Sequence, residues 1–395
     1  MRILILVDDF LTSTKSGAKM IHDLGVEFIR RNHQTTVVTP SEQVAQNFEI
    51  SVEQGIQVVR VRTGDLKHIA RPLRGWRESR LSAMIWARAK EFFLSHSFDL
   101  IVFYSPSIFF AQLVSRLKAI WHCAAYLVLR DVFPKWAVDA GVLRRGGIPH
   151  RYFRRIELKQ YAASDVIGVE APGNLRYFQE ELQGKSYCLE VLLNWSHLQP
   201  QPPPTGKHRA ALGLMNKVVF FYGGNIGVAQ DMDNLLRLAT SLRDQESIFF
   251  LMVGSGSEVP RLNSLISDFQ LQNFRILPPV PQQEYLEMLS EFDVGLVSLD
   301  RRLQTNSLTG KLLGYMTCGL PILASLNAGN DLTAFLREFE AGISCLNGDD
   351  ESFQTAALCL ANDSSLRRRM GQNSRRLLEM KFSVSAAAAQ ILSHF

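Results

Sequence analysis

What this chain lacks narrows it first. Nowhere in its 395 residues do apolar side chains run uninterrupted for the roughly 18 to 20 positions that a membrane-spanning helix needs. Even "LIVFYSPSIFFAQLV", Leu100 to Val114, is broken by serine, proline and glutamine. The five cysteines, Cys123, Cys188, Cys318, Cys345 and Cys359, are odd in number, scattered and without a CxxC pair. That excludes a disulfide framework and a zinc site of the usual spacing, and leaves reduced core thiols. The opening "MRILILVDDF" is apolar for only a few residues before Asp8 and Asp9, so it reads as a buried parallel strand and not as a secretory signal. A cytoplasmic protein is expected. With 46% hydrophobic and 21% charged residues, disorder is excluded as well.

What is present is enough for two hydrophobic cores, and two domains are the default at this length. The one proline-rich stretch, "SHLQPQPPPTGK" from Ser196 to Lys207, favours an extended, semi-rigid connection and marks the boundary. The expected domains are residues 1–197 and 206–382. Charge divides unevenly across this boundary. Residues 1–195 hold 26 Lys+Arg against 19 Asp+Glu, a net +7, while residues 196–395 hold 17 against 19, a net −2. The first half therefore favours an acidic surface.

In chain order, "RILILVDDF", a helix with Met20, Ile21, Leu24, Phe28 and Ile29 on one face, and "TTVVT" form a βαβ unit. The intervening loop brings Asp8, Asp9, Ser16, Gly17 and Lys19 to the carboxyl end of a strand, where α/β sheets bind ligands; a plain connection is the alternative. From Lys67 to Lys90, Arg71, Arg74, Arg77, Arg80 and Arg88 alternate with Leu73, Trp76, Leu81 and Trp86. Such a pattern suits the headgroup level of an anionic membrane, with a solvated helix face as the alternative. "RRGGIPHRYFRRIELK", Arg144 to Lys159, is a second basic cluster, and no nucleic-acid motif appears. Strands follow at "FDLIVFY" and "CAAYLVLRD", the second placing Arg130 and Asp131 at its carboxyl end, and at "ASDVIGVE". In the second half the strands again alternate with helices, so a parallel sheet follows. "KVVFFYGGNIGVAQ" reads as a strand and a turn in which Gly223, Gly224 and Gly227 let the backbone approach a diphosphate.

The clearest punctuation lies in "NSLTGKLLGYMTCGLPILASLNAGND", Asn306 to Asp331. Thr309, Gly310 and Lys311 open a helix, Gly319 ends it in a left-handed residue, Pro321 forbids continuation, and "PILAS" is a strand. Unpaired N–H groups, the positive end of a helix dipole and an ammonium meet at Thr309–Lys311, where a phosphate would sit; an ordinary capped helix is the alternative.

"GKLLGYMTCGLPILAS", continued through "NAGND", resembles the signature K-L-x-E-Y-M-A-x-G-x-P-V-x-A-S of family 4 retaining glycosyltransferases. Within that family it is most similar to the bacterial fucosaminyltransferases of O-antigen and capsule synthesis. "RDVFPKWAV", the "GGNIG" turn and "VGSG" resemble further segments of the family. The resemblance implies the α/β GT-B fold, two Rossmann-like parallel-sheet domains facing a cleft, with a C-terminal helix at about residues 383–395 crossing back onto the first. It implies transfer of N-acetyl-L-fucosamine or a related deoxy-amino sugar from a UDP-sugar donor to a lipid-linked sugar on undecaprenyl diphosphate. The protein would work peripherally at the inner face of the cytoplasmic membrane, touching it through Arg71, Arg74, Trp76, Arg77, Arg80 and Trp86. Neither metal nor cofactor is called for. Asp131, Arg130 and Lys311 are the expected catalytic residues. Gly17, Gly224, Asn225, Gly227, Gln230, Gly254, Gly256, Pro279, Asn306, Thr309, Gly310, Asn330 and Asp331 are the expected donor-binding ones. One departure stands out: the family's two glutamates, the second of which holds the ribose hydroxyls, fall here on Asn306 and Gly314. A UDP-sugar 2-epimerase of the same fold, or an inactive nucleotide-sugar-binding protein, are the alternatives.

Overall fold

The apolar runs of the sequence are strands buried on both faces, as parallel sheets require. The computed structural model describes all residues except 11–15, 65–76, 106, 140, 183, 185 and 304–307. Two compact units emerge: Met1–His197 with Val384–Phe395, and Leu198–Ser383.

The first unit is built on β1 (Arg2–Leu6), β2 (Gln34–Ser41), β3 (Phe48–Glu53), β4 (Ile56–Arg62), β5 (Leu100–Ser105), β6 (Ala124–Leu129), β7 (Val166–Val169) and β8 (Leu189–Val191). Their order is β3-β4-β2-β1-β5-β6-β7-β8. Side chains of β1 alternate between two cores: Leu4 and Leu6 join Ile101 and Phe103 on one face, and Ile3 and Ile5 join Ile21 and Phe28 on the other. All pairs are parallel but β3–β4, an antiparallel hairpin turned by Gln54 and Gly55, both at positive φ. That pair departs from the expected wholly parallel pattern. The chain runs outward from β1 through β2 to β4 and then returns to β5, so the topological switch point lies at the carboxyl ends of β1 and β5.

The second unit carries β9 (Val218–Asn225), β10 (Ile248–Ser255), β11 (Phe274–Leu277), β12 (Val294–Ser298), β13 (Ile322–Leu326) and β14 (Gly342–Leu346). The sheet is parallel, in the order β11-β10-β9-β12-β13-β14, and its switch point lies at the carboxyl ends of β9 and β12. The helix Lys311–Thr317 ends as its residues dictate: Gly319 stands at φ +64°, and the Leu320 N–H donates to the Tyr315 carbonyl.

One surface expectation changes, at Trp86. Arg71, Arg74 and Trp76 lie outside the described residues. Trp86 does not face a membrane: its ring stacks on Phe93 at 6.1 Å and packs against the first unit's core, with the Arg116 guanidinium over it at 4.7 Å. The helix Leu81–Ser95 spends Leu81, Ile85, Phe92 and Phe93 on that core. Among the described residues no helix is long and apolar enough to cross a membrane.

The helix Val384–Leu392 belongs to the first unit, where Val384, Ala387, Ala388 and Ile391 are buried with Leu24, Phe28 and Trp195. Arg31 ties it down by donating to the Ser385 carbonyl at 2.8 Å and hydroxyl at 2.9 Å. Ile391→Ala is expected to destabilise this unit by about 2–5 kcal/mol in urea unfolding. An unchanged midpoint would show that the helix is not part of that core.

Candidate functional site

At the second unit's switch point the glycine turn and the helix Lys311–Thr317 come together. Tyr315 is the fastener. Its buried hydroxyl donates to the Leu296 carbonyl at 3.0 Å and accepts the Gly223 N–H at 3.1 Å, binding the end of β9 to β12. Tyr222 shapes the turn, donating to the Asn225 carbonyl at 2.6 Å. Gly224 takes φ +116°, which side chains rarely adopt, and Lys311 lies against it, with Cε 3.9 Å from where a Cβ would stand. The Lys311 ammonium sits 4.7 Å from the centroid of the Tyr222 ring and makes no hydrogen bond or ion pair among the described residues. Desolvation pulls its pKa from 10.5 down to about 8. Two residues earlier in the chain, the Thr309 hydroxyl is buried and has no partner among the described residues. An ammonium without an ion pair among the described residues thus lies against an exposed glycine turn, an arrangement that fits a phosphate.

The other expected donor residues fall into three groups. Asn225 and Gln230 are joined by a 2.9 Å hydrogen bond across Gly227, at the exposed lip of the turn. Gly310 precedes the helix in open space with helical φ, and Pro279 is exposed in the loop after β11. Gly254 and Gly256 are glycines because neighbouring chain lies against them: a Cβ would stand 1.8 Å from the Gly224 carbonyl oxygen and 2.0 Å from that of Ile226. Asn330 is buried and spends its side chain capping the helix Asp331–Glu338, accepting the Leu332 N–H and donating to Asn327, each near 3 Å. Asp331 opens that helix. Asn306 lies outside the described residues. The sequence reading passes over an Asp-x-Asp triplet, Asp231-Met232-Asp233. It is spent on the fold, Asp231 accepting from Asn347 at 3.0 Å and Asp233 pairing with Arg261 at 2.8 Å. No group of three metal-binding side chains occurs among the described residues.

In the first unit the polar residues gather at the carboxyl edge of the sheet. Arg130 is only 8% exposed and turns inward, donating to the carbonyls of Leu192 at 2.7 Å and Leu193 at 3.3 Å and lying over Trp195. It braces the end of β6 against the segment after β8 and does not present its charge to solvent. Asp131 is exposed beside it, its carboxylate making no hydrogen bond among the described residues, and the surrounding protein raises its pKa. Gly17 starts the helix Ser16–Arg30 against Tyr104, whose hydroxyl lies 2.8 Å from the place of a Cβ. Glu170, at the end of β7, escapes the sequence reading. Asn194 donates to it at 2.6 Å, and burial, with the Asp131 charge behind it, raises its pKa against Arg130 and that hydrogen bond. Its signal was the one used for Asp131, a charged residue at a strand's carboxyl end.

The fold and site can now be set beside known proteins. Residues 205–377, which contain the whole Gly223–Lys311 site, match the family of glycosyl transferases group 1. The chain is 26% identical over 226 residues to "Probable glycosyltransferase WbjE" of Pseudomonas aeruginosa, an alignment covering 56% of each chain. It therefore spans about half the length of that relative. The structure of Anabaena Alr3699/HepE in complex with UDP superposes with a TM-score of 0.70 at 14% identity, covering 100% of this chain and 99% of that one. WaaG, a glycosyltransferase involved in lipopolysaccharide biosynthesis, gives 0.66 at 14%, covering 99% of each. The fold is GT-B.

An anion bound next to Lys311 in the second unit stabilises the protonated amine. Affinity for inorganic diphosphate is expected to be highest below about pH 8 and to weaken up to about tenfold per pH unit above it. Lys311→Met should flatten that profile in calorimetry from about pH 7 to about pH 10. A wild-type affinity that is level above pH 8 would mean that this ammonium does not face the anion.

Proposed function

We propose that the protein is a glycosyltransferase. It moves a sugar from a UDP donor bound by the group 1 domain to a lipid-linked sugar bound by the first unit, in the synthesis of a bacterial surface polysaccharide. The observation that carries the reading is the Lys311 ammonium, held beside Gly224 at the switch point with no ion pair among the described residues. The structural neighbour in complex with UDP and the neighbour involved in lipopolysaccharide biosynthesis support the donor and the pathway class.

In this reaction the bond from the sugar's anomeric carbon to the diphosphate oxygen breaks and its electron pair stays on that oxygen. Lys311 and the Gly224 turn neutralise the growing charge, which is the main task when the leaving group is a diphosphate. An acceptor hydroxyl forms the new bond and gives up its proton. Asp131, whose exposed carboxylate makes no hydrogen bond among the described residues, is the group that meets that hydroxyl, while Arg130 acts through the backbone it braces.

The acceptor is an undecaprenyl-diphosphate-linked sugar, and the donor is UDP-N-acetyl-L-fucosamine or a related deoxy-amino sugar. The first unit's surface supports a lipid acceptor at a membrane. Trp136, Val142, Ile148 and Tyr152 are 47%, 65%, 85% and 47% exposed, and Arg151, Arg155 and Lys159 stand exposed on the helix Ile148–Ala163. Apolar tips among cations suit the inner face of an anionic membrane.

Incubation with a panel of UDP-sugars and an undecaprenyl-diphosphate-linked acceptor is expected to add one sugar mass to the lipid and release UDP. Lys311→Met should lower kcat/KM by about 10²–10³. Epimerised free nucleotide sugar without any change in lipid mass would replace this reading with that of a 2-epimerase.

A further inference from the structure

The outermost strand of the first unit's sheet is paired on one side only. β3 ends the order β3-β4-β2 and lies against β4, with Phe48 opposite Val61, Ile50 opposite Val59 and Val52 opposite Gln57. Two observations fix which residues of this segment exchange bonds with β4: the two-residue turn at Gln54 and Gly55, and the Arg62 N–H, which donates to the Asn47 carbonyl at 3.0 Å. They are Asn47, Glu49, Ser51 and Glu53, because bonded and non-bonded pairs alternate along an antiparallel ladder. The N–H and C=O groups of Phe48, Ile50 and Val52 therefore point away from the sheet. They face a strand that the described residues of this chain do not supply.

The same three residues share one face of the strand. Phe48 packs against Phe92 of the helix Leu81–Ser95, with ring centroids 6.3 Å apart, and its β4 neighbours Val59 and Val61 are buried in that core. Beyond Phe48 the cover stops: Ile50 is 44% exposed and Val52 72%. The apolar face of the sheet thus runs on to its open edge, where charge is the usual protection. Charge lies instead on the opposite face. There Arg60 donates to the Ser51 hydroxyl at 2.8 Å and pairs with Glu53 at 2.5 Å, while Glu49 is exposed and has no ion pair among the described residues.

We propose that the protein forms a two-fold dimer through β3, with Ile50 on the axis and the two first-unit sheets joined edge to edge. A second copy turned about an axis normal to the sheet lays Ile50 opposite Ile50 and Phe48 opposite Val52. Each of these pairs has the outward N–H and C=O groups to exchange two hydrogen bonds, and the apolar face continues from one copy into the other. On the other face Glu49 comes opposite Ser51, whose hydroxyl Arg60 holds, so the unpaired carboxylate of each copy meets the guanidinium of the other. Glu53 comes opposite Asn47, and like charges are nowhere opposed. An axis on Ser51 would set Glu49 against Glu53 and would need N–H groups already given to β4.

Analytical ultracentrifugation tests it. The wild type is expected to be monomeric at about 1 µM and dimeric by about 100 µM, the affinity of a small interface. Ile50→Lys and Ile50→Glu each oppose like charges on the axis and should each stay monomeric over that range, with thermal melting unchanged. Mixed in equal amounts they should dimerise again, because opposite charges then meet. Val52→Lys, at a more exposed position, should also stay monomeric and guards against misfolding at Ile50. A wild type that remains monomeric, a dimer that survives both lysine variants, or a mixture that fails to associate overturns the proposal. Mild oxidation reads the register separately. Glu49→Cys and Ser51→Cys chains, when mixed, place their sulfurs on a non-bonded pair with Cα atoms about 4.5 Å apart, close enough for a disulfide. A linked heterodimer is expected, with neither chain alone linking more than the wild type does. Ser51→Cys linking to itself as readily would move the axis and contradict the assignment.

Discussion

A lysine ammonium pressed against a tyrosine face, with no anion to balance it among the described residues, is an arrangement that a folded chain keeps only at some cost. Desolvation already loosens the Lys311 proton toward pH 8. Several parts of the second unit hold the ammonium there. Tyr315 fixes the end of β9 to β12, Tyr222 closes the turn onto Asn225 and supplies the ring face, and Gly224 takes a conformation that brings backbone close to the lysine. Gly254 then lets β10 lie against the Gly224 carbonyl, so the turn is gripped from the other side as well. The site is a local strain in charge, held by the hydrogen bonds of Tyr315 and Tyr222.

The first unit repeats the topological logic with opposite charge. At the carboxyl edge of its sheet stand Asp131 and Glu170, both with raised pKa, and a buried Arg130 that orders the backbone behind them. In the proposed reaction the second unit's cation serves the departing diphosphate and the first unit's carboxylate the acceptor hydroxyl. The charge asymmetry of the sequence has another origin: it resides on surface features such as the helix Ile148–Ala163 and not at this edge.

Much of the backbone was legible because its signals are local. Gly319, Pro321 and "PILAS" specify a helix end and a strand within a few residues, and the apolar runs become β1, β5, β6, β9, β10, β12 and β13. The hairpin of β3 and β4 carried the signal Gln54-Gly55 but sits where alternating helices were expected. What the sequence could not separate is a glycine facing a ligand from a glycine facing the neighbouring strand. Gly224 and Gly254 read alike, yet one meets Lys311 and the other the Gly224 carbonyl. Arg130 and Trp86 share the difficulty, since a charge or an indole gives no sign in sequence of which way it points; one is drawn inward by two carbonyls and the other by Phe93.

The central claim is that Lys311 and the Gly224 turn receive a diphosphate. A structure of the chain with UDP bound tests it most directly. The account predicts a diphosphate oxygen within hydrogen-bond distance of Lys311 Nζ, about 2.7–3.2 Å, with the phosphate against Gly224. A diphosphate bound elsewhere, with the ammonium still lying unpaired over Tyr222, would contradict it.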